Sequence, residues 1–161
     1  MNRSFLLTLV LLLFLAGCYT GSRPPGIGSK APDFTVNDSD RTLTLSHYEG
    51  KPIILNFWAT WCPPCVEEMP SLIQLQDRLK GKVTIIAVSL DIDDSAYHRF
   101  IKDHNINFTT VRDGEQHSNT LYGTYKFPET YIIDSKGIIR RKFIGAVNWN
   151  DPQIDGYING L

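Results

Sequence analysis

The stretch Pro52-Ile53-Ile54-Leu55-Asn56-Phe57-Trp58-Ala59-Thr60-Trp61-Cys62-Pro63-Pro64-Cys65-Val66-Glu67-Glu68 runs from a nearly continuous apolar segment into two closely spaced cysteines and then into a helical pattern. Residues 52–58 have the composition of a strand buried on both faces. Residues 63–80 read as a helix, so the cysteines stand at its entrance, one turn apart and near enough for a bridge of normal geometry. The first of them meets the free N–H groups and the positive end of the helix dipole, which favour thiolate over thiol. Pro63 and Pro64 fall in the first turn, where a missing N–H costs nothing, and they restrict the backbone between the sulfurs. Three chemistries use such a pair: a redox dithiol, half of a metal site, or a structural disulfide. Zinc needs two further ligands, and neither Cys18 nor the four histidines (47, 98, 104, 117) offer paired ligand spacing. A bridge across so short a loop restricts little of the unfolded chain and so stabilises little. The residues favour the redox dithiol and imply no metal and no cofactor.

Outward from this segment, the pattern alternates apolar runs rich in Val, Ile and Phe with helical stretches, as in an α/β domain. A short hairpin is expected over 33–36 and 42–45, and a second buried strand over 83–90. A helix over 94–104, a short strand over 108–111 and a weak helix over 117–122 follow. Residues 130–133 and 138–144 flank the turn signal Asp134-Ser135-Lys136-Gly137 and are expected to form an antiparallel hairpin. A last helix starts at Pro152 and ends near Gly160. With 161 residues, 42% hydrophobic and 20% charged, the chain is the size of one domain. A formal charge of −1 without a basic patch argues against nucleic acid as a partner.

The amino terminus carries Arg3 and then an apolar run over 5–16 broken only by Thr8, twelve residues where a bilayer span needs about 20. It reads as the hydrophobic region of an export signal, residues 1–17. Leu15-Ala16-Gly17-Cys18 resembles the lipobox of bacterial lipoproteins, which makes Cys18 the lipidation site and residues 18–30, rich in Pro and Gly, a flexible linker. Two or three acyl chains at about 0.8 kcal/mol per methylene would anchor it stably. The domain itself is expected over 31–161, in the cell envelope, facing the periplasm or the exterior.

Residues 56–65, together with Ala31-Pro32-Asp33-Phe34, resemble thioredoxin-like proteins of the exported, membrane-anchored branch that holds TlpA, ResA and the cytochrome c maturation thioredoxins. The resemblance runs from about Gly28 to the end of the chain. It implies an α/β thioredoxin-like fold, a mixed central sheet flanked by helices, with an N-terminal hairpin and a central insertion over about 83–110. It implies that Cys62 is the attacking thiolate, Cys65 the resolving thiol, Trp61 a rim aromatic and Pro128 the cis-proline facing the dithiol. Thioredoxin has a proton-transferring Asp where this chain has Asn56, which cannot take a proton, so another group must serve Cys65.

At 100° per residue the helix places Glu68 on the apolar arc with Cys65, Leu72, Leu75 and Leu79, and Glu67 on the polar side with Ser71, Gln74 and Arg78. Burial would raise the pKa of Glu68 and fit it as the acid/base for Cys65; it also matches the active-site glutamate of the ResA-like branch. The alternative is a glutamate snorkelling at the edge of the arc, with Pro70 bending the helix.

Residues 123–134 are similar to the Gly-Val-x-Gly-x-Pro-Glu-Thr-Phe-x-Ile-Asp segment of cytochrome c maturation thioredoxins. Lys126 replaces the second glycine and the bulky Phe127 abuts Pro128, which alters the substrate-facing loop. Glu129 is either a second acid beside the groove or a solvated residue at a strand start. Asp91, Asp93 and Asp94 lack the calcium-loop pattern and read as a solvated helix entry. The expected function is a lipid-anchored thiol:disulfide oxidoreductase that reduces exported disulfide-bearing proteins such as apocytochrome c and draws on a membrane thiol reductant. A general exported reductase or oxidase, and a copper(I) metallochaperone using the dithiol, are the alternatives.

Overall fold

A computed structural model describes residues 24–161; the expected export signal over 1–17 and the expected lipidation site Cys18 lie outside the described residues. Strand β3 (Ile53–Trp58) is buried at all six positions and organises the sheet. Its odd residues Ile53, Leu55 and Phe57 enter one core, while Ile54 and Trp58 enter the other. A strand serving two cores has no polar face, and so its apolar run has no alternation. The sheet order is β5-β4-β3-β6-β7. Strands β4 (Thr84–Ser89) and β5 (Thr109–Arg112) run parallel to β3, whereas β6 (Glu129–Ile133) and β7 (Ile139–Ile144) complete the other half antiparallel.

One face of the sheet is covered by α1 (Pro63–Arg78), α2 (Asp94–Asp103) and α4 (Pro152–Asn159), whose Leu72, Leu75, Tyr97, Ile154 and Ile158 pack with Trp58 and Trp149. Each fully buried Leu or Ile contributes roughly 1.5–3 kcal/mol. The other face carries the β1 (Thr35–Asn37) and β2 (Thr42–Thr44) hairpin, a 3-10 turn (Leu45–Tyr48) and α3 (His117–Tyr122). Helix α1 continues through Pro70, which is exposed and so leaves the packed face intact.

The mixed sheet, flanking helices and separate N-terminal hairpin agree with the expected thioredoxin-like fold. Two details differ. Residues 83–110, expected as an insertion, supply β4, which lies between β3 and β5 and is integral to the sheet. Residues 28–30, expected as flexible linker, are hydrogen-bonded to the β6–β7 hairpin through Gly28 and Ser29 to Ile139.

Among the described residues, no strand is hydrogen-bonded to the outer edge of β5. The Arg41 guanidinium donates to the Thr110 carbonyl at 3.1 Å, and the Asp38 carboxylate accepts from the Arg112 N–H at 3.0 Å. Both side chains come from the turn of the β1–β2 hairpin, so side chains replace the missing backbone ladder.

Candidate active site

Strand β3 ends at Trp58, and the chain turns through Ala59-Thr60-Trp61 to reach α1. Cys62 is the residue capping α1, in an extended conformation (φ −100°, ψ 101°), and its carbonyl accepts from the N–H groups of Cys65 at 3.0 Å and Val66 at 3.1 Å. Cys62 and Cys65 form a disulfide with their Cα atoms 5.3 Å apart. Cys62 is 5% exposed and Cys65 is fully buried, so only the first sulfur can be reached from outside. Trp61 is 60% exposed and meets Phe127 edge-to-face at 6.2 Å between ring centroids, a contact worth about 0.5–1.5 kcal/mol beyond its buried area. The Phe127–Pro128 peptide bond is cis, and Pro128 is buried at the entry to β6.

Glu68 stands one turn beyond Cys65 on the same buried face and is 2% exposed. Its Oε1 accepts from Asn56 Nδ2 at 2.8 Å and its Oε2 from the Val147 N–H at 3.0 Å. Asn56 also donates to Thr130 Oγ1 at 2.8 Å, so one amide joins the helix carboxylate to β6. Trp149 Nε1 is buried near this carboxylate and favours its charge, but makes no hydrogen bond of normal geometry. Burial raises the pKa of Glu68 to about 7, and the Val147, Asn56 and Trp149 donors oppose that rise only in part. The group therefore holds a proton half the time near neutrality. A cleft of about 420 Å³ lined by Glu67, Glu68, Ser71 and residues 146–148 leads from it to solvent. Val147 and Trp149 carry no sequence signal for this role, because they lie about 80 residues away; they are placed by Arg78, which donates to the Trp149 carbonyl at 2.6 Å, and by Ser71, which accepts from the Trp149 N–H at 3.2 Å.

The family model described as the AhpC/TSA family matches residues 27–142, a span that takes in the hairpin, the dithiol and Pro128. The chain belongs to the AhpC/TSA family. It is 32% identical over 167 aligned residues to the thiol-disulfide oxidoreductase ResA of Bacillus thuringiensis (strain Al Hakam), covering 97% of this chain and 95% of that one. It is 34% identical to the thioredoxin-like protein YneN of Bacillus subtilis (strain 168), over 86% of this chain and 88% of that one. Among solved structures, a protein from Chlorobium tepidum assigned as thiol:disulfide interchange protein DsbE superposes with a TM-score of 0.78 at 28% identity, covering 84% of this chain and 97% of that chain.

Two acidic residues of this AhpC/TSA-family chain sit where the sequence did not place them. Glu129 is 3% exposed. Successive residues on a strand face opposite ways. Thr130 points toward Asn56 and the Glu68 side, so Glu129 points to the other face, where it belongs neither to the groove nor to solvent. Its Oε1 accepts from Thr124 Oγ1 at 2.6 Å and from the Tyr131 hydroxyl, and pairs with Lys142 Nζ at 2.9 Å. It thereby ties the loop before Pro128 to β6 and β7. Glu129→Gln is expected to lower the unfolding free energy by about 1–3 kcal/mol, the range for an unmet buried partner, while reduction of a small disulfide by the folded protein stays unchanged; chemical denaturation and a dithiol exchange assay check both.

Asp91, expected in a solvated helix entry, is 2% exposed. Its carboxylate accepts from the Thr60 N–H at 3.0 Å, Thr60 Oγ1 at 2.6 Å and Ser89 Oγ at 2.6 Å, and so fastens the turn that carries Trp61 and Cys62 to the end of β4. Asp93 does cap α2, accepting from the Ala96 N–H, and Asp94 follows in the first turn. Asp91→Ala strands the Thr60 and Ser89 donors and should cost about 1–3 kcal/mol of stability; an unchanged denaturation midpoint would rule out the fastening role.

Proposed function

We propose that this chain, a thiol-disulfide oxidoreductase by its Cys62–Cys65 pair and its relatives, works outside the cytoplasmic membrane as a lipid-anchored reductant of partner disulfides, apocytochrome c foremost. The observation that carries the chemistry is the asymmetry of the pair, Cys62 at the helix start with 5% of its surface open to solvent, Cys65 fully buried one turn before a carboxyl group that titrates near neutrality. The Cys62 thiolate attacks one sulfur of the partner disulfide, forming a mixed disulfide and releasing the other sulfur as a thiolate. Cys65 then loses its proton to Glu68 and attacks Cys62 Sγ; the partner leaves as its second thiolate, and two electrons have passed from the pair to the partner. Trp61, Phe127 and Pro128 form the rim on which the partner rests. A separate membrane thiol reductant returns Cys62 and Cys65 to the dithiol.

The lipid anchor is supported by the lipobox-like residues 15–18, and the apocytochrome partner by the resemblance of residues 123–134 to the cytochrome c maturation segment. The test offers the reduced protein two oxidised peptides that differ only in whether a Cys-x-x-Cys pair is followed by His, the haem-attachment pattern. Faster reduction of the His-bearing peptide is expected. Equal rates would remove the apocytochrome assignment and leave a general reductase.

A further inference from the structure

Ser71, Gln74 and Arg78, on the polar face of α1, all bind the loop over 145–150. The Ser71 hydroxyl donates to the Glu68 carbonyl at 2.8 Å and accepts from the Trp149 N–H at 3.2 Å. Gln74 Oε1 accepts from Asn150 Nδ2 at 2.7 Å. Arg78 Nη1 donates to Asn150 Oδ1 at 2.7 Å and Nη2 to the Trp149 carbonyl at 2.6 Å. Its Nε and Nη2 also meet the Asp155 carboxylate of α4 at 3.1 and 3.2 Å. The guanidinium thus joins α1, the loop and α4 with all of its nitrogens, a geometry that the single nitrogen of lysine cannot copy.

The loop depends on these bonds because it buries little of its own. Trp149 is buried, whereas Ala146, Asn148 and Asn150 are exposed, and a segment with few buried contacts opens easily unless it is tied down. At its near end the Gly145 N–H donates to the Pro128 carbonyl at 2.8 Å. Held there and on α1, the loop presents the Val147 N–H to Glu68 Oε2 at 3.0 Å. The other groups around that carboxyl are the neutral Asn56 amide of β3, itself tied to Thr130 of β6, the Trp149 indole, and Cys65 and Glu67 as titratable neighbours on α1. No charged side chain balances the burial of Glu68; three neutral donors do, and two of them belong to the loop.

We propose that Arg78, supported by Ser71 and Gln74, is a positioning residue for the resolving step: it fixes the 145–150 loop so that the Val147 N–H stays on the Glu68 carboxylate, and thereby sets how readily Glu68 takes the Cys65 proton. This deepens the function proposed above and rests on Glu68 as the acceptor. Arg78 acts from ten residues along α1, about 15 Å of helix, and touches neither sulfur nor partner. If the loop is released, the carboxylate loses a donor that favours its charge while its burial by the sheet persists, so Glu68 holds its proton to higher pH.

The experiment mixes the reduced protein rapidly with an aryl disulfide of nitrobenzoate, which releases one coloured thiolate on attack by Cys62 and a second on resolution by Cys65. Arg78→Ala is expected to move the inflection of the second phase upward from its wild-type position near 7 by about one pH unit, the scale of one hydrogen bond to a charged group. Relative to the first phase, the second is then about fivefold slower at neutral pH and close to wild type two units higher. Arg78→Lys keeps the charge and can keep the pair with Asp155, but cannot hold Asn150 and Trp149 as well; it should shift the inflection the same way, and it serves if the alanine variant fails to fold. The carbon signal of the Glu68 carboxyl, titrated by NMR, reads the same shift without a rate. An inflection left at its wild-type position in both variants, or a slowing by one factor at every pH, would overturn the positioning role; Glu68→Gln still removing the inflection would then leave Glu68 as the acceptor. If Glu68→Gln keeps the wild-type profile, the acceptor and the positioning role fall together.

Discussion

Replacement of Cys65 by serine leaves an enzyme that reacts once and stops. Cys62 still caps α1 and still attacks, but the hydroxyl at position 65 cannot displace the partner, so the mixed disulfide accumulates in one-to-one ratio and turnover is lost. Cys62→Ser goes further and abolishes even the first step, because the member of the pair nearer solvent is gone and Cys65 is fully buried. The two variants separate by non-reducing electrophoresis after challenge with an oxidised protein: a covalent adduct for Cys65→Ser, none for Cys62→Ser. An adduct of comparable yield on Cys62→Ser would show that Cys65 is accessible and reverse the assigned order. Recovered from cells, the adduct on Cys65→Ser also names the partner.

Glu68→Gln is expected to slow the resolving step roughly 10²-fold at neutral pH, the lower range for a positioned proton acceptor, while the first attack by Cys62 keeps its rate. In the wild-type protein the resolving rate rises as Glu68 loses its proton, with an inflection near 7. Without the carboxylate the inflection near 7 is expected to disappear from the resolving step. Stability carries the same signature. Burial favours the protonated form, so between 4.5 and 7 the folded protein holds a proton that the unfolded chain releases. Stability therefore falls as pH rises through that window, by about 3 kcal/mol at its end. The Gln variant should lack this slope. Parallel denaturation profiles for the two proteins from pH 5 to 8 would show that Glu68 is not titrating in the fold.

What the sequence discloses follows the range of the interactions involved. The strand 53–58, helix 63–78 and their junction at Cys62 were legible because burial there is periodic or continuous over neighbouring residues. The depth of Glu68 was legible for the same reason, as its spacing from Cys65 and Leu72 puts it on the packed arc. Asn56 was read as the loss of a proton carrier; in three dimensions it is the donor that holds the carrier in place. Asp91 went unread because an acidic run after a strand looks alike whether it faces water or an N–H group thirty-one residues earlier in sequence. Glu129 could not be decided because its cation, Lys142, lies on the next strand. Val147 was out of reach for any local pattern, since a backbone N–H has no side-chain identity to read.

The side chains that close the outer edge of β5 bear on how copies of this chain meet one another. An open strand edge is a template for intermolecular pairing and for aggregation. Here Asp38 and Arg41 occupy the very N–H and C=O groups that an incoming strand would need, and Arg112 holds Asp38 in place at 3.2 Å. The small hairpin thus acts as a stopper as well as a lid on the core. Shortening it would free one edge of the sheet and turn that edge into a surface that recruits further copies of this chain.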